Sequence, residues 1–305
     1  MSAHLIDETT TFIVQGITGR EAVNLTRECL DYGSKIVGGV TPGRRGREVH
    51  GVPVYDSVAQ LVEAEGGNPP DGSVVTVPPA FTRDAVFEAI EAGIKLIVIV
   101  TERIPRYDVA QMVEFAKLRD ARIIGPNCLG IIRPGIAKMG GIGGPAKDAA
   151  KAYVPGPVGV MSRSGGMTTE ISSTLTAAGL GVSTAISIGG DAIIGSTYAE
   201  LMPLFEEDPQ TEAIVIYTEP GGRMEAELVE WREAAGSKMP IVAFMAGRFM
   251  DDEEMQGMSF GHAGTIVEGV EDSATEKIAR LEAAGIPVVE RIDEIPDRVK
   301  EALGR

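Results

Sequence analysis

Short apolar runs with the length of buried strands alternate with amphipathic helical patterns along the first half of the chain. Strands are predicted over 12–15, 36–37, 73–77, 96–100 and 122–124, and helices over 20–32, 58–65, 83–92 and 108–119. Alternating strands and helices are joined by right-handed crossovers, which place helices on both faces of a parallel sheet. The pattern therefore predicts a doubly wound α/β domain.

The same alternation starts again after residues 131–157, a stretch rich in Gly, Pro, Lys and Ala that is typical of a connection between domains. Strands are predicted here over 158–160, 184–186, 213–217, 241–244 and 288–289, and helices over 167–178, 198–205, 225–235 and 274–284. A chain of 305 residues is long enough for two hydrophobic cores. We therefore predict two successive doubly wound domains, over residues 1–150 and 151–305.

Composition and charge exclude several classes of protein. With 44% hydrophobic and 24% charged residues the chain is globular, and its net charge of −16 disfavours nucleic acid and anionic membranes as partners. No apolar run has the length of a membrane span, and the first residues lack the pattern of a secretory signal. The two cysteines, Cys29 and Cys128, are far apart and fit neither a disulfide framework nor a zinc site. We expect a cytoplasmic protein without a metal site of its own.

The first predicted strand runs into a glycine-containing loop, 15–19, at the start of a helix, where backbone amides form an anion-binding nest. A dinucleotide fingerprint would need a further glycine and a carboxylate after the second strand. That strand instead ends in Gly38-Gly-Val40 and is followed by Arg44, Arg45 and Arg47. Arginines favour phosphate, although they are also common in solvated turns. NAD is therefore disfavoured, and NADP or coenzyme A (CoA) is expected.

Three loops of the second domain, 161–166, 188–191 and 218–222, follow predicted strands. The carboxyl ends of parallel strands are where ligands bind in open sheets. The first of these loops also starts a helix, so its amides and the hydroxyls of Ser162 and Ser164 are expected to face an anion.

One histidine, His262, is a candidate catalytic residue. His262 is flanked by Gly261, Ala263 and Gly264, which leave its ring accessible, and imidazole acts as a base or nucleophile near neutral pH. Glu219 is a lone carboxylate among small residues, and such a group can fix one ring nitrogen as a donor and leave the other nucleophilic. The alternatives are a glycine-rich surface turn and a carboxylate at a helix end.

Seven motifs in order along the chain resemble the alpha subunit of succinyl-CoA synthetase (succinate–CoA ligase). They are Gln15-Gly-Ile-Thr-Gly19, Gly38-Gly-Val-Thr-Pro-Gly43, Gly125-Pro-Asn-Cys128, Ser162-Arg-Ser-Gly165, Ile188-Gly-Gly-Asp191, Asp208-Pro-Gln-Thr-Glu-Ala213 and Gly261-His-Ala-Gly264. The resemblance implies a Rossmann-like CoA-binding domain followed by a flavodoxin-like ligase domain with a transiently phosphorylated histidine. Succinate, CoA and a nucleoside triphosphate would give succinyl-CoA, the diphosphate and phosphate, a reaction of the tricarboxylic acid cycle.

The resemblance also implies roles for individual residues. His262 matches the phosphorylated histidine and Glu219 its carboxylate partner. Arg44 stands where the family usually has a lysine that contacts CoA. The other positions that match CoA-contacting loops are Thr18, Gly19, Arg20, Glu21, Val100, Thr101 and Glu102. Phosphate and the acid would be bound near Ser162, Ser164, Gly165, Gly166 and Thr169.

The family works with a beta subunit, in a heterodimer or heterotetramer. That partner has a nucleotide-grasping fold and binds Mg-ATP or Mg-GTP together with part of the acid site. Nothing in this chain resembles a nucleotide-grasping domain, so we expect it to need such a partner.

Departures from the family pattern concern the acid. Gly166-Met-Thr-Thr169 stands where the family has Thr-Leu-Thr-Tyr, and Thr169 replaces the tyrosine that contacts the acid. This version of the motif, and Phe260, resemble ATP-citrate lyase and citryl-CoA synthetase. Succinate remains the first choice, with malate, citrate or a related acid as alternatives. Two other classes stay open: an NADP-dependent reductase, and a CoA-binding paralogue that no longer catalyses.

Overall fold

The computed structural model describes residues 5–251, 262–265 and 272–305. These residues form two compact units. The first comprises residues 5–150 together with 193–195, and the second comprises the other described residues from 151 onward. Within the described part of the chain, no helix is both long and apolar enough to cross a membrane.

The first unit is built around a seven-stranded sheet in which all neighbouring strands are parallel except for a short antiparallel edge pair. Its elements are β1 (Thr11–Gln15), α1 (Arg20–Asp31), β2 (Lys35–Val40), β3 (Glu48–Val49), β4 (Val52–Tyr55), α2 (Val58–Ala64), β5 (Gly72–Val75), α3 (Pro79–Glu91), β6 (Leu96–Ile99), α4 (Arg106–Leu118) and β7 (Arg122–Ile124).

The strand order β3-β4-β2-β1-β5-β6-β7 places the change of winding direction between β1 and β5. Every residue of β5 and β6 is buried, as expected for parallel strands covered by helices on both faces. Loops at the carboxyl ends of β1 and β5 border the crevice where open sheets of this kind bind ligands.

Residues 131–157, which composition predicted to be a connection, contain regular structure. An antiparallel hairpin is formed by β8 (Gly130–Arg133) and β9 (Ala137–Met139), and α5 (Ala146–Ala152) follows. The buried Lys138 stabilises the segment, because its Nζ donates to the carbonyl oxygens of Ile142 and Gly144. Only Pro134-Gly-Ile136 separates the two strands, with no amphipathic helical pattern between them, so the glycine and proline content indicated a connection instead.

The second unit has a parallel sheet whose strands run in the order β14-β13-β12-β10-β11, with the change of winding direction between β10 and β12. Its elements are β10 (Pro155–Ser162), α6 (Gly165–Ala177), β11 (Val182–Ser187), α7 (Tyr198–Glu207), β12 (Ala213–Thr218), α8 (Met224–Ala235), β13 (Ile241–Met245), α9 (Ala274–Ala283), β14 (Val288–Val289) and α10 (Ile295–Ala302).

The predicted fold class, α/β with two successive doubly wound sheets, is confirmed. The differences lie at element ends and in short elements. α3 begins at Pro79, four residues earlier than predicted. Proline fits the first turn of a helix because N–H groups there have no acceptor within the helix, so the lack of an N–H costs no hydrogen bond. The edge strands β3 and β4 and the final helix α10 were not predicted.

Candidate active site

The carboxyl end of β12 carries a buried carboxylate that contacts the predicted nucleophile. Glu219 directly follows this strand, and its Oε1 and Oε2 lie 2.6 and 2.9 Å from His262 Nδ1. The Glu219 side chain is 4% exposed and that of His262 is 27% exposed. A carboxylate only accepts hydrogen bonds, so Nδ1 carries the proton toward Glu219, and in the neutral ring Nε2 is the unprotonated nitrogen.

Two tyrosines lie close to this pair. Burial, reinforced by the charge of Glu219, raises the pKa of Tyr217 above its ordinary value. Burial also raises the pKa of Tyr198 strongly, and its hydroxyl donates to the carbonyl oxygen of Tyr217 at 2.6 Å. Both phenols therefore stay neutral near pH 7.

The His262 ring packs directly against the backbone of the loop after β11. A Cβ at Gly190 would lie only 2.6 Å from His262 Cδ2, so no side chain fits between them. The Gly264 N–H donates to the carbonyl oxygen of Gly190 at 3.2 Å, and Thr265 Oγ1 donates to that of His262 at 2.8 Å. These contacts fix the short turn that carries the imidazole.

A buried arginine also supports the loop after β11. Arg163 is 2% exposed, and its Nη2 donates to the carbonyl oxygen of Asp191 at 2.8 Å while its Nε lies 3.5 Å from that of Gly189. A Cβ at Gly264 would collide with its guanidinium group. Sequence reasoning quoted the motif around Arg163 but assigned this residue no role. A charged side chain at the buried end of a strand is the signal that could have singled it out.

The helix α6 begins at the loop after β10, where anion binding was predicted. Ser162 Oγ donates to the carbonyl oxygen of Ser164 at 2.7 Å and accepts the Ser164 N–H at 3.1 Å. Ser164 is the N-cap of α6 and accepts the Met167 N–H. Both hydroxyls therefore shape the loop, and the first-turn amides at Gly165 and Gly166 are the groups left to face an anion. The space around Gly166 is open.

Thr169, the residue at the predicted acid-contacting position, lies one turn further along α6. Its Oγ1 is 2.9 Å from the hydroxyl of Tyr153, a tyrosine that is 1% exposed. The structure thus pairs Thr169 with a buried phenol.

The first unit has a cavity of about 810 Å³ at the carboxyl ends of β1 and β5. Of the predicted CoA-contacting residues, Thr18 and Gly19 line it. Gly16, at the start of the same loop, has a φ of +86° and lies against Thr76, so this position requires glycine. The cavity wall is formed by Gln15, Gly16, Thr18, Gly19, Val40, Thr41, Pro42, Thr76, Val77, Pro78, Phe81, Asp84, Ala85 and Glu88.

The other predicted CoA-contacting residues lie outside this lining. Arg20 and Glu21 are exposed in the first turn of α1, and Arg44 is exposed on the loop after β2. The N–H groups of Arg44 and Arg45 donate to Asp56 Oδ1 at 3.1 and 3.2 Å, which fixes the backbone of that loop.

The segment after β6 touches the cavity wall without lining the cavity. Thr101 Oγ1 donates to the carbonyl oxygen of Val77, a lining residue, at 2.7 Å. Val100 precedes this threonine and is half-buried, and Glu102 follows it and is exposed.

Neither cysteine suits nucleophilic chemistry. Both are buried thiols, and burial raises the pKa of Cys29 to about 11. Among the described residues, no three His, Cys, Asp or Glu side chains are grouped so that they could hold a metal ion.

Comparison with known proteins agrees with this architecture. Residues 7–103 match the CoA binding domain and residues 155–301 the succinyl-CoA ligase like flavodoxin domain. The first match decides between the two ligands left open for the first domain, in favour of CoA over NADP.

Several curated proteins are similar over the whole chain. The succinate–CoA ligase [ADP-forming] subunit alpha 1 of Archaeoglobus fulgidus is 42% identical over 303 residues, which cover 99% of this chain and 98% of that protein. A subunit of the ADP-forming sulfoacetate–CoA ligase of Bilophila wadsworthia is 41% identical (96% of both chains), and the malate–CoA ligase subunit alpha of Methylorubrum extorquens is 39% identical (99% and 98%).

A solved structure has the same fold. ATP citrate lyase from Methanothrix soehngenii, in complex with citrate and coenzyme A, superposes with a TM-score of 0.90 at 22% identity, and the match covers all of this chain and 51% of the lyase chain. The sequence similarity over the full length, together with both domain matches, places the chain in the succinate–CoA ligase alpha-subunit family.

Proposed function

We propose that this chain is the alpha subunit of a nucleoside-diphosphate-forming acid–CoA ligase, with succinate as the acid and ADP as the nucleotide product. The observation that carries the proposal is the His262–Glu219 pair, in which Nδ1 is occupied by a buried carboxylate and Nε2 is left as the nucleophile. The names of the relatives support ADP formation, since several are described as ADP-forming ligases.

The mechanism splits a difficult condensation into steps with good leaving groups. His262 Nε2 attacks the terminal phosphorus of the nucleoside triphosphate, and the diphosphate leaves. A carboxylate oxygen of the acid then takes the phosphoryl group from Nε2 and forms an acyl phosphate. The CoA thiol loses its proton and attacks the acyl carbon, and inorganic phosphate leaves. First-turn amides of α6, at Gly165 and Gly166, would neutralise the phosphoryl oxygens between these steps.

We place the CoA nucleotide at the cavity bordered by Thr18 and Gly19. This site is at the carboxyl ends of β1 and β5, and the residues around it match the CoA binding domain. Arg20, Glu21, Arg44, Val100, Thr101 and Glu102 are proposed as further contacts, reached by the parts of the ligand that extend beyond the cavity.

Arg44→Ala tests the arginine loop. An exposed guanidinium that pairs with the ribose phosphate would lose that pairing, so the KM for CoA is expected to rise about 10-fold, while the KM for dephospho-CoA stays within about twofold. Arg305→Ala is the control, because Arg305 is an exposed arginine paired with Glu212 in the second unit. Equal effects of Arg44→Ala on both ligands would remove Arg44 from the phosphate site.

We also propose a partner. The chain is expected to work with a beta subunit that has a nucleotide-grasping fold, binds Mg-ATP and supplies part of the acid site. The relatives support this, because they are described as alpha subunits or as subunits of ligases. We expect the complex in the cytoplasm, with no nucleic acid or membrane partner, and a place in the tricarboxylic acid cycle.

Acid specificity is the part of the proposal that varies within the family. The relatives are described as ligases of succinate, sulfoacetate and malate, all small acids with a second anionic group. In this chain the space at Gly166 is open, while Thr169, a shorter residue than tyrosine, has its hydroxyl against that of Tyr153. Malate and citrate are therefore the competing substrates, and a CoA-binding paralogue without activity is the remaining alternative.

An acid panel distinguishes these outcomes. The chain, co-purified with its partner subunit, is given Mg-ATP, CoA and succinate, malate, citrate or sulfoacetate, and acyl-CoA is followed by mass spectrometry. We expect succinyl-CoA to have the highest kcat/KM, and Gly166→Val to lower the kcat/KM of citrate more than that of succinate. A different preferred acid would overturn succinate alone, whereas no acyl-CoA with any acid would contradict the ligase assignment.

A further inference from the structure

Two buried charged side chains that the proposed reaction does not use lie behind the Glu219 turn. Lys277, from α9, is 1% exposed, and Glu225, from α8, is fully buried. Charged side chains are rarely buried without a partner, and these two form an ion pair with Nζ 2.6 Å from Oε2.

The Lys277 ammonium group uses its three protons on three acceptors. It donates to the carbonyl oxygen of Glu219 at 2.9 Å, to that of Gly221 at 2.5 Å and to Glu225 Oε2 at 2.6 Å. An ammonium group has three donors and no acceptor, so its hydrogen-bonding capacity is filled. Two of the three bonds go to the backbone of the turn that carries the Glu219 carboxylate.

Glu225 completes the support. Its Oε1 accepts the hydroxyl proton of Thr218, the last residue of β12, and its Oε2 accepts from Lys277. The Gly221 N–H donates to the carbonyl oxygen of Asp272 at 2.8 Å. Residues 218 to 221 are thus held by Glu225, Lys277 and Asp272, while the Glu219 carboxylate contacts His262 Nδ1.

The helix that carries Lys277 is also held at its N-terminus by the chain that precedes residues 252–261. Asp251 precedes that segment, and its carboxylate accepts the N–H groups of Ala274 and Thr275 at 2.8 and 2.7 Å, at the start of α9. The start of α9 is therefore tied to the chain before His262, and Lys277 ties its first turn to the Glu219 turn.

We propose that Lys277 is a positioning residue for phosphoryl transfer at His262. By fixing the backbone of Glu219, it keeps the carboxylate on Nδ1 and thereby directs the phosphoryl group to Nε2. The inference rests on the proposed function and deepens it, because it names a residue that controls which ring nitrogen reacts.

The test is single-turnover phosphorylation of Lys277→Met in the complex with the partner subunit. The rate constant is expected to fall about 100-fold, the loss typical of a misplacement near 1 Å, while the KM for Mg-ATP and for CoA stays within about twofold. The rate constant separates positioning from folding: a purely structural role would lower the amplitude, which counts competent molecules, and leave the rate constant unchanged.

Two further variants keep the test decisive. Lys277→Met leaves Glu225 buried without its charged partner, and Lys277→Met/Glu225→Leu removes both charges at similar volume, an exchange that proteins often tolerate. We expect the same slow rate constant in the double variant. Lys138→Met is the matched control, because Lys138 is equally buried and also donates to two backbone carbonyls, but in the first unit. Its rate constant should equal that of the wild type.

The second readout needs no turnover. In the unphosphorylated protein, ¹⁵N NMR of His262 is expected to show Nδ1 protonated and Nε2 unprotonated, and in the Lys277 variants a mixture of both tautomers. An unchanged tautomer with an unchanged rate constant in a folded Lys277 variant would overturn the inference. A wild-type protein that is never phosphorylated would contradict the proposed function instead, and the tautomer measurement would still decide the role of Lys277.

Discussion

His262→Asn is expected to abolish phosphorylation and to lower turnover by at least about four orders of magnitude, because the variant has no nucleophile for the terminal phosphoryl group. Asparagine is smaller than histidine and the ring is partly exposed, so the fold and the CoA cavity in the first unit should remain. The measurement is phosphoprotein formation from γ-labelled ATP, with CoA binding followed by calorimetry.

His50→Asn is the matched control for this experiment. His50 is exposed, with a φ of +52°, a conformation that asparagine tolerates, and its Nε2 contacts the carbonyl oxygen of Val23 in the first unit. Its phosphorylation and turnover should match those of the wild type. Appreciable acyl-CoA formation by His262→Asn would contradict the phosphohistidine mechanism, whatever the control does.

Gly190→Ala is expected to lower the rate constant of phosphorylation about 100-fold, equivalent to about 2.7 kcal/mol of activation free energy. The added methyl group would lie 2.6 Å from His262 Cδ2, so the ring has to move away from the loop and from its bond to Glu219. The measurement is the single-turnover rate constant, with the melting temperature as a check on the fold.

The control glycine is Gly141, where an added Cβ would meet only Leu25, at 3.9 Å, an ordinary contact. Gly141→Ala should leave the rate constant unchanged. If Gly190→Ala is phosphorylated as fast as the control, the reactivity of the His262 ring does not depend on its contact with Gly190. The account of the site's geometry would then be wrong.

The sequence predicted those parts of the fold that have a hydrophobic period. β1, β6, β12 and β13 are buried runs between amphipathic helices, and each lies within one residue of its predicted bounds. The hairpin β8–β9 was missed because a short turn rather than a helical pattern joins its strands, and the surrounding Gly and Pro residues are typical of a connection.

The sequence predicted the reacting residues of the site but not the residues that support them. His262 and Glu219 stand among small residues, so their side chains are conspicuous, and their pairing followed from resemblance. Arg163 and Lys277 act through backbone carbonyls distant in sequence, those of residues 189 and 191 and of residues 219 and 221. Every residue has a backbone carbonyl, so a hydrogen bond to one does not require any particular residue type at the accepting position. Only the structure could therefore identify Arg163 and Lys277 as supports of the site.

The central claim is that the phosphoryl group travels through His262 Nε2. The direct measurement is ³¹P NMR of the complex with its partner subunit after Mg-ATP is added and free nucleotide removed, followed by addition of succinate and CoA. We predict one resonance of Nε2-phosphohistidine, assigned to His262 by mass spectrometry, which disappears as an equal amount of succinyl-CoA forms. Succinyl-CoA formation without any phosphohistidine, or with the phosphoryl group on another residue, would contradict the account.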